Sequence, residues 1–200
     1  SSKVWLDWGP FRSTRRVSSE LGFDRGTPID RYYIEQFLAE NAGAVKGRVL
    51  EIGDDSYTRE FGGDRVAVRD VLHIHPGSPK ATIIGDLSSG ENIPTSTFDC
   101  AIITQTLHLI YDVRRALQTL HRILRPGGVL LATAPGVSPI ASDEWANVWH
   151  WGFTRYALAR MFADVFGGGS FSCRSYGNVF ASTCFLQGVA VEEIETGKLD

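Results

Sequence analysis

The 200-residue chain is poor in sulfur, with three cysteines and one methionine. Cys100, Cys173 and Cys184 are odd in number and have no C-x-x-C spacing. That argues against a disulfide framework or a zinc site, and reduced, buried thiols are expected. Long apolar runs are missing as well. The longest near-apolar stretch, Val129 to Ala134, is far too short to cross a bilayer. No leader is recognised from Ser1 onward, so a cytoplasmic protein with no membrane partner is expected. Positive charge is not in excess: 20 Lys and Arg stand against 23 Asp and Glu, for a net charge of −3. A phosphate-binding footprint is usually basic, so no nucleic-acid partner is expected. Only Arg12, Arg15 and Arg16 form a locally positive stretch, and repeats and low-complexity tracts are absent.

What is present suits a globular chain, with 43% hydrophobic and 22% charged residues. The length fits one α/β domain with a short extension. We assign 1–26 to an N-terminal arm or cap and 27–200 to the main domain. Thr27-Pro28-Ile29-Asp30 opens a helix: a capping hydroxyl, Pro at the first helical position and an acid in the first turn. Short buried strands are expected at Arg48–Ile52, Val66–Arg69, Ala81–Ile84, Phe98–Thr104 and Val129–Ala134, with a sixth at Phe171–Tyr176. Asp112 caps the clearest helix, whose stripe is Val113, Ala116, Leu117, Leu120, Ile123 and Leu124. Arg125-Pro126-Gly127-Gly128 stops it. Another amphipathic helix starts at Thr154. Strands alternating with helices predict an α/β, Rossmann-like fold with a mostly parallel sheet and helices on both faces.

Ligands of such sheets sit outside the carboxyl ends of the strands, so the residues just after each strand carry the chemistry. Glu51, Gly53, Asp54 and Asp55 follow the first, Asp70 the second, Asp86-Leu87 the third, and Gln105 to His108 the fourth. An acid after the second strand can accept both hydroxyls of a ribose, and one after the third can accept from an adenine amino group. Three acidic tips around a glycine turn describe an adenosine cradle.

In these residues the chain resembles the class I S-adenosylmethionine-dependent methyltransferases of the type 11 group. The resemblance runs from about Arg48 to Tyr176. It is carried by RVLEIG (Arg48–Gly53), GDL (Gly85–Leu87), FDCAIITQTLHLI (Phe98–Ile110) and LHRILRPGGVLLATAPG (Leu120–Gly136). The segments RGTPIDRYYIEQFL and WGFT also look like a bacterial subgroup of glycan or natural-product pathways. The resemblance implies S-adenosylmethionine as cofactor and S-adenosylhomocysteine as product. It implies that Glu51 and Gly53 shape the methionine-side turn, that Asp70 holds the ribose, and that Val71 also belongs to the cofactor site. Asp86 would hold adenine with Leu87 against the ring, and Thr104 and Gln105 would lie beside the sulfonium.

The chain also departs from the family pattern. The family turn is usually G-x-G-x-G, and Asp55 and Tyr57 replace its second and third glycines. Two outcomes stay open: Asp54 or Asp55 binds the cofactor's ammonium, or cofactor binding is weakened or lost. The helix after the first strand is expected to shrink to one turn. Val179–Glu195 reads as helix-like or mixed, so the antiparallel strand that closes the family's sheet has no obvious counterpart here.

Methyl transfer needs in-line placement of a nucleophile and, for a hydroxyl, removal of its proton. His108 is the candidate base because an unperturbed imidazole titrates near neutrality; Tyr111 and His150 are weaker candidates. Trp149 and Trp151, in a substrate-side insert at 145–154, are expected to line the substrate. Trp5 and Trp8 of the arm read equally well as anchors. Arg31, Tyr32 and Tyr33, at a helix start, are candidates to hold a carboxylate or phosphate. Neither His73-x-His75 nor Asp54-Asp55 has a third ligand, and no metal is expected. The function predicted is methylation of a small molecule, at an oxygen of a sugar or secondary metabolite. The alternatives are a non-catalytic binding module and a cofactor-dependent enzyme with other chemistry. A monomer or homodimer is expected.

Overall fold

The computed structural model describes residues 9, 13–139 and 147–200. The chain's contacts divide it into two compact units, 1–33 with 176–200, and 34–175. This division differs from a boundary at residue 26, because the C-terminal segment clusters with the N-terminal one.

The larger unit is built on five parallel strands: β1 (Gly47–Ile52), β2 (Val66–His73), β3 (Ile83–Ile84), β4 (Phe98–Thr104) and β5 (Leu124–Thr133). Their order is β3-β2-β1-β4-β5, so the α/β expectation holds. The chain runs outward from β1 to β3, then crosses to β4 on the other side. The strand order therefore reverses between β1 and β4, where parallel sheets leave a crevice at their carboxyl ends. Phe98, Cys100, Ala101, Ile102 and Ile103 of β4 are all fully buried, as a central strand requires.

Helix α2 (Val113–Ile123) covers one face, placing Ala116, Leu117, Leu120 and Ile123 in the larger core with Leu50, Leu72, Phe98 and Ile103. Asp112 caps it as expected, accepting from the Arg115 amide at 3.1 Å. Leu158, Met161 and Phe162 of α3 (Arg155–Phe166) pack against the same core, with Thr154 as the cap. On the other face, Ile34 and Leu38 of helix α1 (Ile29–Glu40) join Val45, Val49, Cys100, Ile102 and Leu131.

Several boundaries differ from the expectation. β2 runs on to His73, four residues past Arg69, because Val71 and Leu72 are both buried and extend the ladder beside Glu51 and Ile52. The Pro-Gly-Gly stretch is an excursion within β5, between the Phe98–Leu124 and Cys100–Val129 pairs. A Cβ on Gly128 would lie 2.9 Å from the Phe98 carbonyl oxygen, so that excursion admits no side chain. The strand expected at Phe171–Tyr176 does not form: the segment lacks β-branched residues, and the Phe171 ring packs on Phe162 at 5.8 Å instead. The helical segment after β1 is longer than the single turn expected, winding from Ser56 through Thr58–Gly62 and Gly63–Arg65.

The smaller unit has its own cluster of Ile29, Ala181, Cys184, Phe185 and Leu199, around helix α4 (Val179–Gln187). Asn178 caps α4, and Gly188 ends it at φ +71°. Thr27 caps nothing: its hydroxyl donates to Glu192 and its carbonyl accepts from the Val191 amide. Among the described residues, no antiparallel strand joins the sheet.

Candidate functional site

β1 ends in Glu51-Ile52-Gly53, and Glu51 turns the chain. Its buried carboxylate accepts from the Tyr57 amide at 3.2 Å and the Thr58 amide at 2.7 Å. Desolvation pushes its pKa up, and the bonds from Thr58 and Tyr57 offset part of that rise. Gly53 has φ +82°, with open space where a Cβ would stand, so the backbone can be approached closely there. Its amide donates to the Leu72 carbonyl at 3.1 Å.

The two acids after Gly53 behave differently. Asp54 Oδ1 accepts from the Ser56 amide at 2.9 Å, and Oδ2 lies 3.5 Å from Lys80 Nζ. Partial desolvation is outweighed by the Ser56 and Lys80 contacts, so its pKa falls and it stays ionised. Asp55 is ion-paired with Arg59 at 2.7 Å, one helical turn on.

Asp70 is where the sequence expectation must be corrected. It is not at a strand tip but inside β2, opposite Leu50, and it is 6% exposed. Arg48 Nε donates to Oδ2 at 2.6 Å and the Thr82 hydroxyl to Oδ1 at 3.0 Å. Both oxygens are thus committed within the sheet. Val71 is buried one residue further on. The position level with Gly53, after the Ile52–Leu72 pair, is His73. The Pro-Gly break downstream hid this in the sequence; the signal was the apolar pair Val71-Leu72, which extends the strand.

After β3, Asp86 does stand at a strand end. Its Oδ1 accepts from the Ser88 amide and hydroxyl at 2.7 and 2.6 Å, and its carbonyl accepts from Gly90 at 2.8 Å. Leu87 is 4% exposed and packs into the larger core rather than standing free for a ring. At the end of β4, Thr104 pairs with Thr133, and Gln105 takes φ +44° with its amide donating to the Thr133 carbonyl at 3.1 Å. A strained non-glycine backbone at a strand tip is the kind of feature functional turns hold.

His108 follows in a short 3-10 turn and is 3% exposed. Its ring lies 4.3 Å from the Trp149 indole, and its Nδ1 and Trp149 Nε1 are buried without a hydrogen-bond partner. Burial lowers its pKa from 6.5 to about 4, so it is neutral near pH 7. This corrects the expectation of a base tuned to neutrality. The His108 carbonyl accepts from the His150 and Trp151 amides at 2.9 and 3.2 Å, tying that insert to the β4 end. Tyr111 is 74% exposed and lies against His150 and Trp151, at ring separations of 5.5 and 5.9 Å. Trp151 Nε1 donates to the Ile110 carbonyl at 3.0 Å.

Arg31, Tyr32 and Tyr33 belong to the smaller unit. The Arg31 guanidinium stands 5.9 Å over the Phe23 ring. The Tyr32 hydroxyl donates to Asp200 at 3.2 Å and that of Tyr33 to the Leu199 carbonyl at 2.7 Å. Trp5, Trp8, Arg12 and Trp145 lie outside the described residues. Among the described residues, no group of three His, Cys, Asp or Glu could hold a metal, and no helix is long and apolar enough to cross a membrane.

The sequence pattern of the family described as "Methyltransferase domain", type 11, matches residues 64–132. Over 138 residues the chain is 28% identical to the ubiquinone/menaquinone biosynthesis C-methyltransferase UbiE of Enterobacter sp. (strain 638), covering 58% of this chain and 55% of that one. Over these stretches it is similar to the class I S-adenosylmethionine-dependent methyltransferases of the type 11 group. S-adenosylmethionine is the cofactor of this methyltransferase family. The methyltransferase fold is shared with the [4+2]-cyclase SpnF, at a TM-score of 0.56 and 18% identity over 82% of this chain and 66% of that one. It is also shared with an S-adenosylmethionine-dependent methyltransferase from Mesorhizobium loti, at 0.50 and 16% over 68% and 80%. The chain spans about half the length of its curated relative, 55%.

Proposed function

We propose that this methyltransferase domain transfers a methyl group from S-adenosylmethionine to an oxygen of a small molecule, a sugar or a secondary metabolite. The observation that carries the reading is the open, left-handed Gly53 at the β1–β4 reversal, where a backbone can press against a ligand. The residues fit the cofactor at three points. The ionised Asp54 suits the ammonium of the methionine portion, Asp86 suits the adenine amino group, and Thr104 and Gln105 stand at the end of β4 for the sulfonium. Bound there, the cofactor supplies an electrophilic methyl group.

The remaining work falls to the chain. The β4-end insert, tied down at the His108 carbonyl, sets His150 and Trp151 against Tyr111, and the three form an aromatic face for a ring-shaped substrate. His108 is too weak a base to carry away a proton at pH 7, so it serves as a neutral hydrogen-bonding group beside Trp149. The exposed His150, edge-on to Tyr111, takes the proton instead. Three free cysteines, two of them buried, suit a reducing, cytoplasmic setting.

A second reading, a binding module without catalysis, draws on the commitment of Asp70 and on Asp55 and Tyr57 in the glycine turn. The separating experiment incubates the chain with S-adenosylmethionine and a panel of hydroxylated sugars and phenols. Methylated product, with a fall of about 10²-fold or more in His150→Ala, supports the enzyme. Cofactor binding without product on any acceptor favours the module.

A further inference from the structure

β2 outruns Asp70 by three residues, and the last of them is His73. The register brings it level with the cofactor turn: Ile52 pairs with Leu72, and the Leu72 carbonyl accepts from the Gly53 amide. On its other flank the His73 carbonyl accepts from the Gly85 amide at 3.0 Å, one residue before Asp86. His73 thus stands between the two turns assigned above to the methionine and adenine ends, which is where the ribose between them must lie. We propose that His73, not a carboxylate, hydrogen-bonds the ribose hydroxyls of the cofactor, and that Asp70 serves the fold alone. This rests on the cofactor reading given under the proposed function.

The imidazole is held for that task. Its Nδ1 lies 3.0 Å from the His75 carbonyl oxygen and 3.1 Å from the His75 amide nitrogen, so one ring nitrogen is engaged with the main chain whichever tautomer is present. Nε2 is the nitrogen left for a ligand, and the ring is half-buried at the strand end. A carboxylate can only accept, whereas a ring nitrogen donates in one tautomer and accepts in the other. A ribose hydroxyl does both, so either tautomer makes the bond. Pinning the ring beforehand lowers the ordering cost on binding. The His73-x-His75 pair is thereby explained without a metal, for which no third ligand stands nearby among the described residues.

The test is calorimetric titration of S-adenosylhomocysteine into the wild-type chain and into His73→Ala, His73→Asp and Asp70→Asn, with thermal melts as folding controls. Expected are a loss of about tenfold or more in His73→Ala, binding within about threefold of wild type in His73→Asp, and near-normal affinity with a lowered Tm in Asp70→Asn. The His73→Ala loss should vanish with the 2′,3′-dideoxyribose analogue of the same ligand, an outcome that a structural role for His73 would not give. Wild-type binding that is unchanged in His73→Ala, or abolished in a folded Asp70→Asn, overturns the proposal. No binding by the folded wild-type chain instead removes the cofactor reading, and this inference with it.

Discussion

The two halves of the sheet are built by different means. Between β4 and β5 the chain makes a full crossover helix, α2, with Leu117, Leu120 and Ile123 wholly buried. Between β1 and β2 it makes only a short helical segment, Ser56 to Arg65, mostly of π and 3-10 geometry. That segment is held by polar contacts: Glu51 on two amides, the Asp55–Arg59 pair, and Arg65 on the Ala42 and Phe61 carbonyls. One half is stabilised by burial and the other by capping. The candidate cofactor turn lies in the half with these polar contacts.

The largest expected effect breaks the burial side. Leu120→Ala should cost about 2–5 kcal/mol in urea denaturation, because a fully buried side chain leaves a cavity. Phe61→Ala, on a partly buried ring of the β1–β2 turn, should cost clearly less. Equal losses would erase the contrast between the halves.

The next effect is acid sensitivity at the junction of β4 and the insert. His108 binds a proton near pH 4 when folded and near 6.5 when unfolded, so the unfolded chain holds more protons between those values. Stability should therefore fall as pH drops through that window, by up to about 3 kcal/mol, and His108→Gln should flatten this limb. Glu51, raised by burial, works in the opposite direction, so the His108 variant is needed to isolate the term. A third effect sharpens the turn itself. Gly53→Ala meets open space but keeps φ +82°, so it should cost about 1–2 kcal/mol from backbone strain alone. Smallest is Asp112→Ala, which removes the α2 cap and should lower stability by about 1 kcal/mol.

Legibility in the sequence followed the same division. The Asp112 cap, the α2 stripe and the β4 run could be read because burial writes a periodic pattern. The parallel sheet was also legible, while the segment after β1 winds further than the one turn expected. The end of β2 was not: Asp70 resembled a loop acid, and only the ladder with β1 shows that Val71, Leu72 and His73 continue the strand. His108 could be placed after β4, but its burial against Trp149 depends on a segment some forty residues away, so its low pKa had no local signal. Leu87 was read as a ligand contact, and its packing in the larger core had no local signal, because an apolar side chain after a strand looks the same in either role. The C-terminal segment's clustering with residues before Tyr33 was likewise invisible, since no strand or heptad pattern marks it.

In the proposed function the cofactor lies across the carboxyl ends of β1 to β4. Backbone amide NMR of the chain titrated with S-adenosylhomocysteine tests it most directly. Saturable shifts are expected at Gly53, Asp54, His73, Asp86, Thr104 and Gln105, with the outward face of α2 unmoved. A folded chain whose spectrum does not respond, or whose shifts fall away from those strand ends, contradicts it.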